Sequence, residues 1–208
     1  MNHLLNIILY NAKGSDNLAI KIFIDQGHNP TGNHNQGAEG FGLHEEDITY
    51  QVGAYLADIL SADTRFEVRT SRPTPTTVLG TNNSTSLQAR VNAANSWPAD
   101  YFISIHVNSN PNPAINGTEV YIYRTGTVAE QLAQDILNEI VRRVGTKDNL
   151  VRTNPALYVL RKTNMPAVLV ELGYISNASD VEKLTNDQYQ FAYAIYVGLL
   201  NFLGLPQL

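Results

Sequence analysis

Short apolar runs alternate along this chain with longer stretches in which apolar residues recur every three or four positions. LAIKIFID (18–25), DYFISIH (100–106) and AVLVE (167–171) are brief, rich in Ile, Val and Phe, and bounded by turn residues. That is the pattern of buried strands. FEVRTSR and TEVYIYR read as further strands, the second with one polar face, and LYVLRKT as another short one. Between them, EEDITYQVGAYLADILSA sets Ile48, Val52, Tyr55, Leu56 and Ile59 along one stripe of a helix. Glu45, Glu46 and Asp47 stand at its start, where the helix dipole favours negative charge. SLQARVNAANSW places Leu87, Val91 and Ala94 on one face, with Ser86 as the expected cap. VAEQLAQDILNEIVRRVG predicts a long helix closed by a left-handed Gly145, and DQYQFAYAIYVGLLNFLG a final one. Strands alternating with helices predict an α/β fold of three layers, a largely parallel twisted sheet with helices on both faces.

With 208 residues, 43% of them hydrophobic, the chain suits a single domain, expected over residues 18–208. Residues 1–17 read as an N-terminal tail or linker. Its LLNIILY run lacks a basic leader and falls far short of the roughly 20 apolar residues that span a bilayer. It reads as a trimmed export segment, an appended leftover or an extra edge strand. A formal charge of −5 without any basic stripe points away from nucleic acid and from anionic membranes. Cysteine is absent, so any metal must be held by nitrogen and oxygen.

Four residues stand out as candidate chemistry. His28, His106 and Glu171 each follow or close an apolar run, and Glu45 opens the first helix. The carboxyl ends of neighbouring strands in such sheets converge on one crevice, where ligands bind. Two imidazoles and one carboxylate fill three positions of a zinc ion, leaving one for water, and a second carboxylate can move protons. A glutamate closing AVLV is costly to bury without a metal, a donor or a catalytic task. His34 and His44 are rival ligands, but His34 lies in a flexible polar NHNQ setting and His44 precedes Glu45 directly. His3 falls in the tail. The loop between His28 and Glu45 holds Gly32, Gly37, Gly40 and Gly42, so its backbone must turn sharply.

These segments, in this order, resemble the zinc-dependent N-acetylmuramoyl-L-alanine amidases of the type 3 group. IFIDQGH is similar to the family's first strand with its Gly-His, and GLHEEDITYQVGAYLADIL to the segment supplying a Glu ligand. SLQARVNAANSWPADYFISIHVNSN resembles its Arg-containing helix and Ser-Ile-His-x-Asn strand, and LRKTNMPAVLVELGYISNASDVEKL the segment of its catalytic Glu. The resemblance spans nearly all of residues 20–200. One departure is Gly27-His28-Asn29-Pro30, where the family has Gly-His-Gly-Gly.

The resemblance implies that His28, Glu45 and His106 bind Zn2+ and that Glu171 is catalytic. Arg90 is a candidate helper or substrate contact, and Asn108 a candidate for orienting His106 or for substrate binding through the glycan. It implies hydrolysis of the amide joining N-acetylmuramic acid to L-alanine in peptidoglycan, and hence an extracytoplasmic setting. A zinc peptidase would use the same residues. A non-catalytic wall-binding module would be expected to have lost at least one of them.

Overall fold

The computed structural model describes residues 19–208, so the expected tail of residues 1–17, with its LLNIILY run and His3, lies outside the described residues. Strand β1 (Ile20–Gln26) leads into the glycine-rich loop, which ends in a small hairpin of β2 (Glu39–Gly40) and β3 (Leu43–His44). Then come α1 (Glu45–Ser61), β4 (Phe66–Thr70), α2 (Asn83–Ser96) and β5 (Tyr101–Asn108). The second half adds β6 (Thr118–Ile122), α3 (Val128–Val144), β7 (Asp148–Thr153) and the short α4 (Tyr158–Lys162). It closes with β8 (Ala167–Tyr174), α5 (Ala178–Asn186) and α6 (Gln188–Leu203).

Six strands form one sheet in the order β4-β1-β5-β8-β6-β7. Every pairing is parallel except β6 with β8. Alternate residues of the central strands enter opposite layers, as the pleat requires. Ile22, Ile24, Ile103, Ile105, Val168 and Val170 pack in one core with apolar residues of α1, α3 and α6. Phe23, Phe102 and Leu169 join Val91 and Ala94 of α2 and Val159 and Leu160 of α4 on the other side. Each side chain buried this fully contributes about 1.5–3 kcal/mol. The three-layer, largely parallel architecture is the expected one.

Local departures have physical causes. LYVLRKT is not a strand: Tyr158–Lys162 is helical, with Val159 and Leu160 turned into the smaller core and Thr163 Oγ1 donating to the Val159 carbonyl. The edge strand is instead DNLVRT, paired with β6. Ser86 does not cap α2. Asn82 does, accepting from Thr85 N while its own N–H donates to Thr85 Oγ1, a reciprocal capping box. Gly145 closes α3 at φ 72°, the expected left-handed cap.

Candidate active site

His28 sits just past β1. Gly27 N continues the ladder onto the Ile105 carbonyl, and a Cβ at Gly27 would lie 2.7 Å from both that oxygen and His106 Cε1. Only a glycine lets the two histidine segments approach this closely. His28 itself adopts φ 65°, a left-handed conformation unusual for a side-chain-bearing residue. Arg90 fixes it there. Its Nη2 donates to the His28 carbonyl, while Nη1 donates to the Gln26 carbonyl and to Asp25 Oδ1 at 2.6 Å. Ser104 Oγ donates to the other Asp25 oxygen. Arg90 is only 1% exposed and braces the backbone beneath His28.

Glu45 opens α1 and is buried. Its Oε1 accepts from His106 Nδ1 at 3.0 Å and Val107 N at 2.9 Å, and lies 3.1 Å from His28 Nε2. Oε2 accepts from Ala38 N. Burial opposes ionisation of Glu45, but the hydrogen bonds and charges of the two histidines outweigh it and hold the carboxyl far below the usual range. Burial likewise opposes protonation of His28, yet Glu45 more than compensates and raises it. His28 Nδ1 donates to the Asn35 carbonyl at 3.2 Å, turning Nε2 towards Glu45. One ligand atom from each of His28, Glu45 and His106 lies within 4.8 Å of the others. Oriented nitrogen and oxygen donors, with His28 and Glu45 each steadied by a backbone group, suit a zinc-type cation.

Glu171 stands opposite His106 in the β5–β8 register and opposite Glu119 in the β6–β8 register, so all three side chains leave the same face. Its Oε2 is shielded from solvent and has no hydrogen-bond partner among the described residues. Burial, then the charges of Glu45 and Glu119, push its pKa well above the ordinary value. A carboxyl made more basic in this way, beside a cluster of cation ligands, is suited to general acid–base work.

Other candidates fall elsewhere. His34 bonds through Nε2 to the Leu79 carbonyl, and neither His34 nor His44 joins the ligand cluster. Asn108 makes no hydrogen bond to His106 among the described residues. Its Oδ1 accepts from Ser109 N, and its Nδ2 lies 3.4 Å from Glu119. Asn29, at the departure from Gly-Gly, is fully buried and ties the loop to Leu79 through both its amide nitrogen and its oxygen. Glu119 was absent from the sequence candidates. The signal was there as a carboxylate inside the strand TEVYIYR.

A family model described as N-acetylmuramoyl-L-alanine amidase matches residues 22–201. Among curated proteins, the chain is 37% identical to the N-acetylmuramoyl-L-alanine amidase LytC of Bacillus subtilis over 87% of its own length, and to the amidase CwlM of Bacillus licheniformis over 82%. It spans 35% and 62% of those two proteins. The crystal structure of an N-acetylmuramoyl-L-alanine amidase from Clostridium difficile 630 superposes with a TM-score of 0.79 at 32% identity, covering 89% of this chain and 97% of that one.

Proposed function

The chain belongs to the N-acetylmuramoyl-L-alanine amidase family, and from that premise we propose that it is a zinc-dependent hydrolase cutting the amide between N-acetylmuramic acid and the L-alanine of the peptidoglycan stem. One observation carries the reading: the His28–Glu45–His106 donor cluster lies beside Glu171, whose buried Oε2 has no partner among the described residues. His28, Glu45 and His106 would hold the cation. When bound, zinc supplies Lewis acidity towards the amide carbonyl and acidifies water. Glu171 takes the proton of the attacking water at its unpartnered oxygen, then delivers it to the departing alanine nitrogen. That second transfer matters because an amide anion is a very poor leaving group. The raised pKa of Glu171 suits both directions of transfer. Arg90 and Asp25 hold the His28 backbone in place.

The domain proposed to carry this activity is residues 18–208. The substrate lies outside the cytoplasmic membrane, so the site of action is proposed to be extracytoplasmic. Among the described residues no helix is long and apolar enough to cross a membrane. The test is product identity. Digestion of purified peptidoglycan, read by mass spectrometry, should release intact stems with a free L-alanine amino terminus. Products cut within the stem would point to a peptidase instead.

A further inference from the structure

Beyond Glu171, the same face of the sheet holds a second buried carboxylate with a cation beside it. Glu119 is 4% exposed and accepts from the Tyr121 phenol at 2.6 Å and the Tyr174 phenol at 2.8 Å. Burial and these bonds raise both phenols above their usual range, so they remain donors to the Glu119 oxygens. Arg152 lies opposite Tyr121 in the β6–β7 register and brings Nη2 to 3.5 Å from Glu119 Oε1. Its Nε donates to the Asn149 carbonyl at 3.0 Å. One edge of the guanidinium is therefore occupied, while its side chain is 50% exposed and Nη1 makes no hydrogen bond among the described residues.

Glu171 and Glu119 line this face, and a peptide carboxylate entering beside them needs a cation. Arg152, at the outer end of these carboxylates, is the cation set against them. A guanidinium fixed at one edge presents its free end as a preoriented donor to a carboxylate, which an uncharged glycan has no need of. Resting on the amidase reading, we infer that Arg152, held by Glu119 and Asn149, is a specificity-determining residue that takes a carboxylate of the stem peptide on the leaving-group side of the scissile amide.

The experiment compares two soluble muramoyl tetrapeptides, one with its stem carboxylates free and one with them converted to primary amides. The zinc-loaded parent should cleave the acid form with about tenfold higher kcat/KM, the scale of one charge-assisted contact. Arg152→Gln should raise KM for the acid about tenfold, change kcat less than twofold and abolish the preference. Arg152→Lys should keep part of it. Arg124→Gln, which removes one exposed charge nearby, should behave as the parent. Equal cleavage of both substrates by the parent overturns the inference, as does a preference that survives in Arg152→Gln. If the parent cleaves no muramoyl–alanine bond in either substrate, the amidase reading fails and takes this inference with it. Cleavage without preference sinks the inference alone.

Discussion

Arg90 holds the carbonyl oxygen of His28 while that residue sits at φ 65°, so a buried guanidinium sets the backbone from which a proposed metal ligand projects. The same guanidinium pairs with Asp25, and both are 1% exposed. Removing one member of such a pair strands the other charge. Arg90→Ala is therefore expected to cost about 3–5 kcal/mol of stability and to weaken zinc binding in whatever fraction stays folded. Urea unfolding with and without a chelator measures both. Unchanged zinc affinity in the folded fraction would remove the bracing role.

Gly27→Ala tests the approach of the two histidine segments. The new methyl would meet His106 Cε1 and the Ile105 carbonyl at 2.7 Å. Overpacking of this kind costs about 1–3 kcal/mol, and here the displaced atom belongs to a proposed ligand. Bound zinc should fall well below stoichiometric while far-ultraviolet circular dichroism stays native. Full zinc occupancy in the variant would contradict the prediction.

For Glu171, the folded pKa lies above the unfolded value of 4.5, so the folded state binds the extra proton. Its carboxylate thus destabilises the protein, by an amount that grows as pH rises from about 4.5 through the raised folded value and is absent below it. Metal-free Glu171→Gln should be more stable than the metal-free parent at pH 7 and no different at pH 4. Its hydrolytic turnover should be nearly lost with zinc content intact. Thermal melts at the two pH values, alongside metal analysis, check the prediction.

Zinc binding itself should depend on pH. Without metal, raised His28 contributes stability below the unfolded value of 6.5 and loses it as pH climbs through the folded one. Lowered Glu45 contributes above 4.5 and loses its share only as pH falls towards its depressed folded value. The metal-free pair is therefore best placed between those limits, where zinc must displace a proton from His28. The rise in Tm on adding zinc should be larger at pH 7.5 than at pH 5.5. Zinc at 100 times its Kd adds about 2.7 kcal/mol. A zinc effect that shrinks as pH rises would count against His28 as a ligand.

Much of this arrangement could be read from residue order. His28, His106 and Glu171 follow or close runs such as IKIFIDQ and AVLVE, and strand ends of that kind meet in one crevice. Glu45 was marked by the acidic opening of α1. Other features depend on contacts far along the chain. Tyr158 and Val159 favour a strand, yet Tyr158–Lys162 is helical, with Val159 and Leu160 filling the smaller core. The reversed direction of β6 leaves no local mark, so Glu119 could not be placed beside Glu171 beforehand. Arg90 on an amphipathic helix looks like a surface cation until Asp25 is seen beneath it.

The strand order has a consequence for synthesis. β8, made from Ala167–Tyr174, lies between β5 and β6, both of which leave the ribosome earlier. Until it emerges, the growing chain has a gap at the middle of its sheet, and Glu171 does not yet exist. An enzyme built this way cannot assemble its proposed site until that central strand has been made.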